Sequence, residues 1–192
     1  MTYAFIFGIV VDMNIFAIEK DKYGNVDWVA SAQSQDNYRV VKMILESCQM
    51  LCTTLRSQGI EDEKLYRAAM PKHPCTLWVG TSSANFLALC AHTQAMLDEY
   101  TARFGKIHKC QAVLDACLGL FSEKNFSCHH LTPLAMAMPE HFKSDDVVES
   151  YRRYYASKPN VRYPRNKIPK WFVKYRGDMY YNVVEEKNFR ET

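Results

Sequence analysis

A chain of 192 residues, 48% of them hydrophobic, is long enough to form one domain with a sizeable core. It contains no apolar run near the ~20 residues that a bilayer-spanning helix needs, which argues against an integral helical membrane protein. Seven cysteines without regular spacing argue against a disulfide scaffold and predict a thiol-reduced, cytoplasmic protein. The net charge of +3 is unevenly held, with 13 Lys/Arg against 17 Asp/Glu in residues 1–150 and 11 against 4 in residues 151–192. Between Tyr151 and Arg176 there are nine basic residues and no acidic one. Such a block calls for a polyanionic partner or a disordered tail.

In chain order, Phe5 to Val11 is apolar but lacks a basic n-region and a cleavage site, so no secretory signal is expected. Residues 1–12 read either as an added strand or as an extension ahead of a second start at Met13. Ile15 to Ile18 predicts a short strand, followed by a turn at Tyr23-Gly24-Asn25. Helical periodicity is clearest from about Gln35 to Arg56, where Val40, Ile44, Leu51 and Leu55 recur on one side. Ile60 to Cys75 reads as a loop, with one helical turn at most. A second long helix is predicted from Ser82 or Ser83 to Phe104, with Gly105 as its C-terminal stop. A third spans His108 to Phe121, and Phe126 to Pro139 reads as irregular. A fourth runs from Asp145 to Tyr155, acidic at its start and basic near its end, as the helix dipole favours. Pro159, Pro164 and Pro169 then break any regular pattern, and Met179 to Val184 reads as a closing strand or helix. The expected fold is mainly α, a compact multi-helix single domain over 1–192 with a short N-terminal strand and an irregular basic C-terminal segment.

Three constellations could carry chemistry. On the first long helix Arg39, Lys42, Glu46, Gln49, Thr53 and Arg56 follow one another at spacings of 3 and 4, so they form one polar stripe. Such a stripe either faces solvent, with Lys42 and Glu46 as an i,i+4 pair, or lines a cleft. Asn85, His92, Glu99 and Arg103 form a second seam on the next long helix, again open to a structural reading as a buried network. If the two seams face one another, Glu46 becomes a general base or the charge that stabilises a developing cation, with Arg39 and Arg56 holding phosphates. The third constellation is the segment with Arg152, Arg153, Tyr155, Arg162, Arg165, Lys167, Lys170, Trp171 and Lys174. Cations there can neutralise phosphates and aromatic faces can stack on bases, unless the aromatics pack back on the core. No Cys/His spacing fixes a zinc site, and no phosphate-binding glycine loop or G-x-S-x-G is present, so neither a metal nor a cofactor is expected.

Several blocks resemble a widespread family of phage-encoded proteins over most of the chain from Met13 to Phe172. They are Asn14-Ile15-Phe16, Val40 to Leu51, His73-Pro74-Cys75 with Trp78, Glu99 to Lys109, Ala137-Met138-Pro139 and Glu149 to Tyr155. Arg39 seven positions before Glu46, together with Pro169-Lys170-Trp171-Phe172-Val173-Lys174-Tyr175, is similar to the pyrimidine-dimer DNA glycosylases of T-even phages. The resemblance implies an all-helical enzyme that grips a kinked DNA duplex, with Glu46 catalytic. The chain departs from that pattern where Arg39 replaces a frequent histidine. It also departs where Met1-Thr2 lies twelve residues ahead of the matching strand, since those glycosylases attack through a terminal threonine amine. The scaffold is then equally suited to another reaction on an extruded base, such as an amino acid:DNA transferase of thymine hypermodification.

The resulting expectation is a DNA-acting phage enzyme, working on an extruded pyrimidine by modification or excision in the host cytoplasm. Glu46, Arg39 and Lys42 are the expected catalytic group, and Gln49, Arg56, Asn85, His92, Glu99 and Arg103 the expected substrate pocket. Double-stranded DNA is the expected partner, with an amino acid as a possible co-substrate. The alternative expectation is a non-catalytic nucleic-acid-binding phage protein.

Overall fold

The computed structural model describes residues 13–164 and 167–177. Helix α1, Trp28–Gln33, opens where the Asp27 side chain accepts a hydrogen bond from the Ala30 N–H at 2.9 Å. Helix α2, Asn37–Ser57, opens at Asp36 and buries Val40, Ile44, Leu51 and Leu55 completely. Helix α3, Pro74–Thr81, begins with proline in its first turn, where the missing N–H leaves no intrahelical bond unmade. The His73 imidazole accepts from the Cys75 N–H one turn in. Helix α4, Ser83–Phe104, is capped by Ser82 and stopped by Gly105, whose left-handed φ of 65° suits glycine. Helix α5 is Gln111–Leu120, and helix α6, Val147–Ala156, starts at Asp146, whose carboxylate accepts from the N–H groups of Val148 and Glu149. A seventh helix, α7, is described over 170–177 and starts directly after Pro169.

The two long helices α2 and α4 pack on each other and form the frame. Helix α1 lies along α4, while α3 and α5 each touch both long helices. Across the frame, residues 13–18 thread the core beside α6. The Phe16 ring meets Tyr155 edge-on at 4.9 Å and Tyr151 at 6.1 Å. Burying a ring of that size contributes about 1.5–3 kcal/mol, so this contact anchors α6 to the start of the fold.

The mainly helical architecture agrees with the sequence reading, and four local features differ from it. Ile15–Ile18 is fully buried but pairs with no strand; among the described residues the one β-bridge is the isolated pair Lys20 and Val26. Side chains satisfy its backbone instead. The Ser31 hydroxyl accepts from the N–H groups of Ile18 (3.0 Å) and Glu19 (2.9 Å), and Arg152 Nε donates to the Ile18 carbonyl at 2.7 Å. Helices α1, α3 and α7 are the other differences, α3 and α7 being helices that proline begins rather than breaks. Residues 1–12 and Met179 to Val184 lie outside the described residues.

Candidate functional site

The polar stripe of α2 does not line one cleft, because its residues are engaged by different parts of the chain. Arg39 is buried and pairs with Asp36 at 2.8 Å, with its guanidinium over the Tyr155 ring. Asp36 is fully buried; it also accepts from the Tyr155 hydroxyl at 2.6 Å and from the Tyr38 N–H. Arg39 is therefore a structural clamp at the start of α2, not a phosphate ligand. Lys42 and Glu46 form the expected i,i+4 pair at 3.0 Å, with Glu46 buried and Lys42 partly exposed, and Gln49 is half-buried. At the far end Arg56 is occupied by the 61–66 loop. It donates to the carbonyls of Tyr66 (2.7 Å), Leu65 (3.0 Å) and Asp62 (3.2 Å) and pairs with Glu61. These bonds tie the Arg56 guanidinium to the loop, away from Arg39 at the other end of the stripe.

The α4 seam is likewise consumed inside the fold. Asn85 donates to the Trp78 carbonyl and the Thr132 hydroxyl and accepts from the Thr132 N–H. His92 is buried between the Trp28 carbonyl at 2.7 Å and the Gln35 side-chain amide at 3.2 Å. Burial pushes its pKa down to about 4, against the contrary pull of the Trp28 carbonyl, so the ring is neutral. Its Nδ1–H then donates to Trp28 and its Nε2 accepts from Gln35. Arg103 donates to Glu99 at 2.7 Å and to the carbonyls of Gln33 and Gln35, tying the end of α4 to the α1–α2 turn. Asn85, His92 and Arg103 are thus each hydrogen-bonded within the fold, and none of them lines the cleft described below.

The basic segment divides into an inward and an outward set. Tyr155 is fully buried and cannot offer a face to a base. Arg152 pairs with Glu19 at 2.7 Å, Arg153 pairs with Glu149 at 2.9 Å, and Lys167 pairs with Glu99. Trp171 donates its Nε1–H to Glu19 at 2.7 Å, and the Arg152 guanidinium lies over its ring. Arg162, Lys170 and Lys174 are exposed, and Lys170 also borders the cleft described next. Arg165 lies outside the described residues.

One open cleft, about 840 Å³, gathers what the seams do not. Its walls include Glu19, Gln33, Glu99, Arg152, Lys167 and Trp171, with Ser34, Lys170 and the 168–169 turn completing it. That size falls in the range of small-molecule sites. Two carboxylates and three cations alternate around it. Burial raises the Glu99 pKa, but hydrogen bonds from Lys167 and Arg103 outweigh that and hold it below the usual carboxylate range. Glu99 therefore stays ionised at neutral pH. Of the residues expected from sequence, the cleft unites Glu99, Arg152, Lys167, Lys170 and Trp171; Glu46 is not among its walls. Glu19, Gln33 and Ser34 carried no sequence signal, since they lie before α1 or at its end and no spacing links them to the C-terminal segment.

Among the described residues no group of three His, Cys, Asp or Glu could hold a metal ion, and no helix is long and apolar enough to cross a membrane. No protein-family model, curated protein or solved structure matches the chain.

Proposed function

We propose that the protein binds DNA through its basic C-terminal segment and acts on a pyrimidine drawn out of the helix into the cleft beside Trp171. What carries this reading is that the cleft is walled by the same segment that presents Arg162, Lys170 and Lys174 to solvent. A backbone held by those cations leaves an extruded base next to an opening of sufficient volume. Within the cleft Glu99 is a fixed negative charge rather than a proton shuttle. When Lys167, whose side chain is partly exposed, turns from Glu99 to a phosphate, Glu99 can balance a developing sugar cation in excision, or the ammonium of an amino acid in transfer to a hypermodified thymine. The mixed charge of the walls suits a zwitterionic co-substrate. In this reading the protein works in the cytoplasm of a phage-infected host.

Mass spectrometry of nucleosides digested from treated DNA tests the chemistry. Plain DNA and DNA carrying 5-hydroxymethyluracil or its phosphorylated form are compared, with amino acids added. A lost base establishes excision, and a nucleoside heavier by an amino acid residue establishes transfer. Unchanged nucleosides in every substrate refute a base-acting enzyme.

A second reading, non-catalytic nucleic-acid binding, is favoured by the pairing of both cleft carboxylates with cations of the same segment. It shares the DNA interface and predicts salt-dependent binding with no altered nucleoside. A flat dependence of affinity on salt refutes both readings.

A further inference from the structure

We propose that Cys52 and Cys117 form a redox site, closing a reversible disulfide that staples α2 to α5 when the protein meets a peroxide. Their Sγ atoms lie 3.7 Å apart, and both residues are fully buried at the contact between the two helices. A disulfide needs a sulfur separation of about 2.05 Å, so each sulfur has to move by only about 0.8 Å. The pair is part of a thiol-rich seam. One turn earlier on α2, Cys48 Sγ lies 3.8 Å from the Cys110 carbonyl, and the Tyr66 hydroxyl lies 3.4 Å from Cys110 Sγ. All seven cysteines are free, Cys52 and Cys117 among them.

The two thiols are not equivalent. The hydrogen bond shared with Cys117 lowers the Cys52 pKa; burial opposes this, and the Arg56 charge one turn on adds to the lowering. The same hydrogen bond and burial push the Cys117 thiol up. With the Arg56 charge one turn away from Cys52 on the same helix, Cys52 is assigned the attacking role in this proposal and Cys117 the resolving one. The Cys52 sulfur attacks one oxygen of hydrogen peroxide, the O–O bond breaks, and hydroxide leaves a sulfenic acid on Cys52. Cys117 then attacks that sulfur, the S–O bond breaks, the S–S bond forms and the oxygen departs as water. Two thiols are oxidised and one peroxide is reduced to two waters. A dithiol reductant reverses the change. Peroxide is small enough to enter when α5, a helix of 10 residues, opens locally.

The test treats the full chain with hydrogen peroxide, blocks remaining thiols with an alkylating agent and maps non-reduced peptides by mass spectrometry. The expected result is a linked peptide containing Cys52 and Cys117 that vanishes with dithiothreitol, with a higher thermal midpoint in the oxidised protein. In Cys117→Ser the expected result is a Cys52 sulfenic acid trapped by dimedone. Recovery of Cys52 and Cys117 as alkylated free thiols, while the more exposed Cys128 is oxidised, overturns the proposal. So does a linkage of Cys52 to any cysteine other than Cys117. The wild-type map decides the matter even if the variant does not fold.

Discussion

Lowering the pH from 7 to 5 should destabilise this protein through one buried ring. His92 is neutral in the fold, its pKa pushed down to about 4, whereas in the unfolded chain it titrates near the ordinary histidine value of 6.5. The unfolded state thus binds more protons between those two values, and stability falls as pH drops from about 6.5 toward 4. With those limits the loss from pH 7 to pH 5 is about 2 kcal/mol, which for a domain of this size lowers the thermal midpoint by roughly 4–8 °C. The cost has a visible origin. Protonation places an N–H on Nε2, facing the Gln35 amide nitrogen that now donates to it. Gln35 can answer only by turning its amide over, bringing Oε1, which has no hydrogen-bond partner among the described residues, to the ring and withdrawing Nε2 from the Met96 sulfur. Urea denaturation of wild type and His92→Gln at pH 7, 6 and 5 isolates the effect, because the other histidines are common to both. Wild type should lose about 2 kcal/mol more than the variant over that range. Equal slopes, or a His92 ring that titrates near 6.5 in nitrogen-detected NMR of the folded protein, would refute the reasoning.

Replacing Arg103 with methionine leaves Glu99 without its buried partner and frees the carbonyls of Gln33 and Gln35. Equilibrium unfolding should register a loss of about 3–5 kcal/mol, moderated by the exposed Lys167 that still reaches Glu99. Tyr155→Phe removes a hydroxyl that donates to Asp36 and accepts from its N–H; chemical denaturation should show a cost of about 1.5–3 kcal/mol. Arg162→Ala, Lys170→Ala and Lys174→Ala should each weaken DNA binding and reduce the slope of log affinity against log salt by about 0.9, read by fluorescence anisotropy. Glu46→Gln breaks the Lys42 pair and should leave DNA affinity unchanged in the same assay.

The parts of the fold set by local chemistry were legible in the chain. Ser82 and Gly105 bound α4 where the sequence places them, and the acidic start of α6 at Asp146 does the same. Helices α3 and α7 were obscured because Pro74 and Pro169 read as breakers, although proline in the first turn costs a helix nothing. Helix α1, of 6 residues, is too short for periodicity to register. The strand expected at Ile15–Ile18 failed for a different reason. An apolar run bounded by turn residues specifies burial, but its backbone partners are Ser31 and Arg152, which no local pattern announces. The polar seams showed the same limit. Spacing placed Arg39, Glu46 and Arg56 on one face, yet Asp36, Lys42 and the 61–66 loop each claim one of them. The cleft joins Glu19, Glu99 and Lys167, an arrangement only tertiary packing creates.

The Asp36 carboxylate has a consequence for how the chain is made. It begins α2, but it is also held by Tyr155, and the backbone N–H of Arg162 reaches it at 3.4 Å, while the Arg162 carbonyl accepts from the Asn37 N–H. These partners leave the ribosome more than a hundred residues after Asp36 does. At roughly 5–20 residues per second, several seconds pass in which the first turn of α2 is wet and Arg39 is its main counter-charge. The last quarter of the chain thus completes the cap of a helix near its beginning, and a nascent chain stalled before residue 155 should exchange its Tyr38 and Val40 amides far faster than the finished protein.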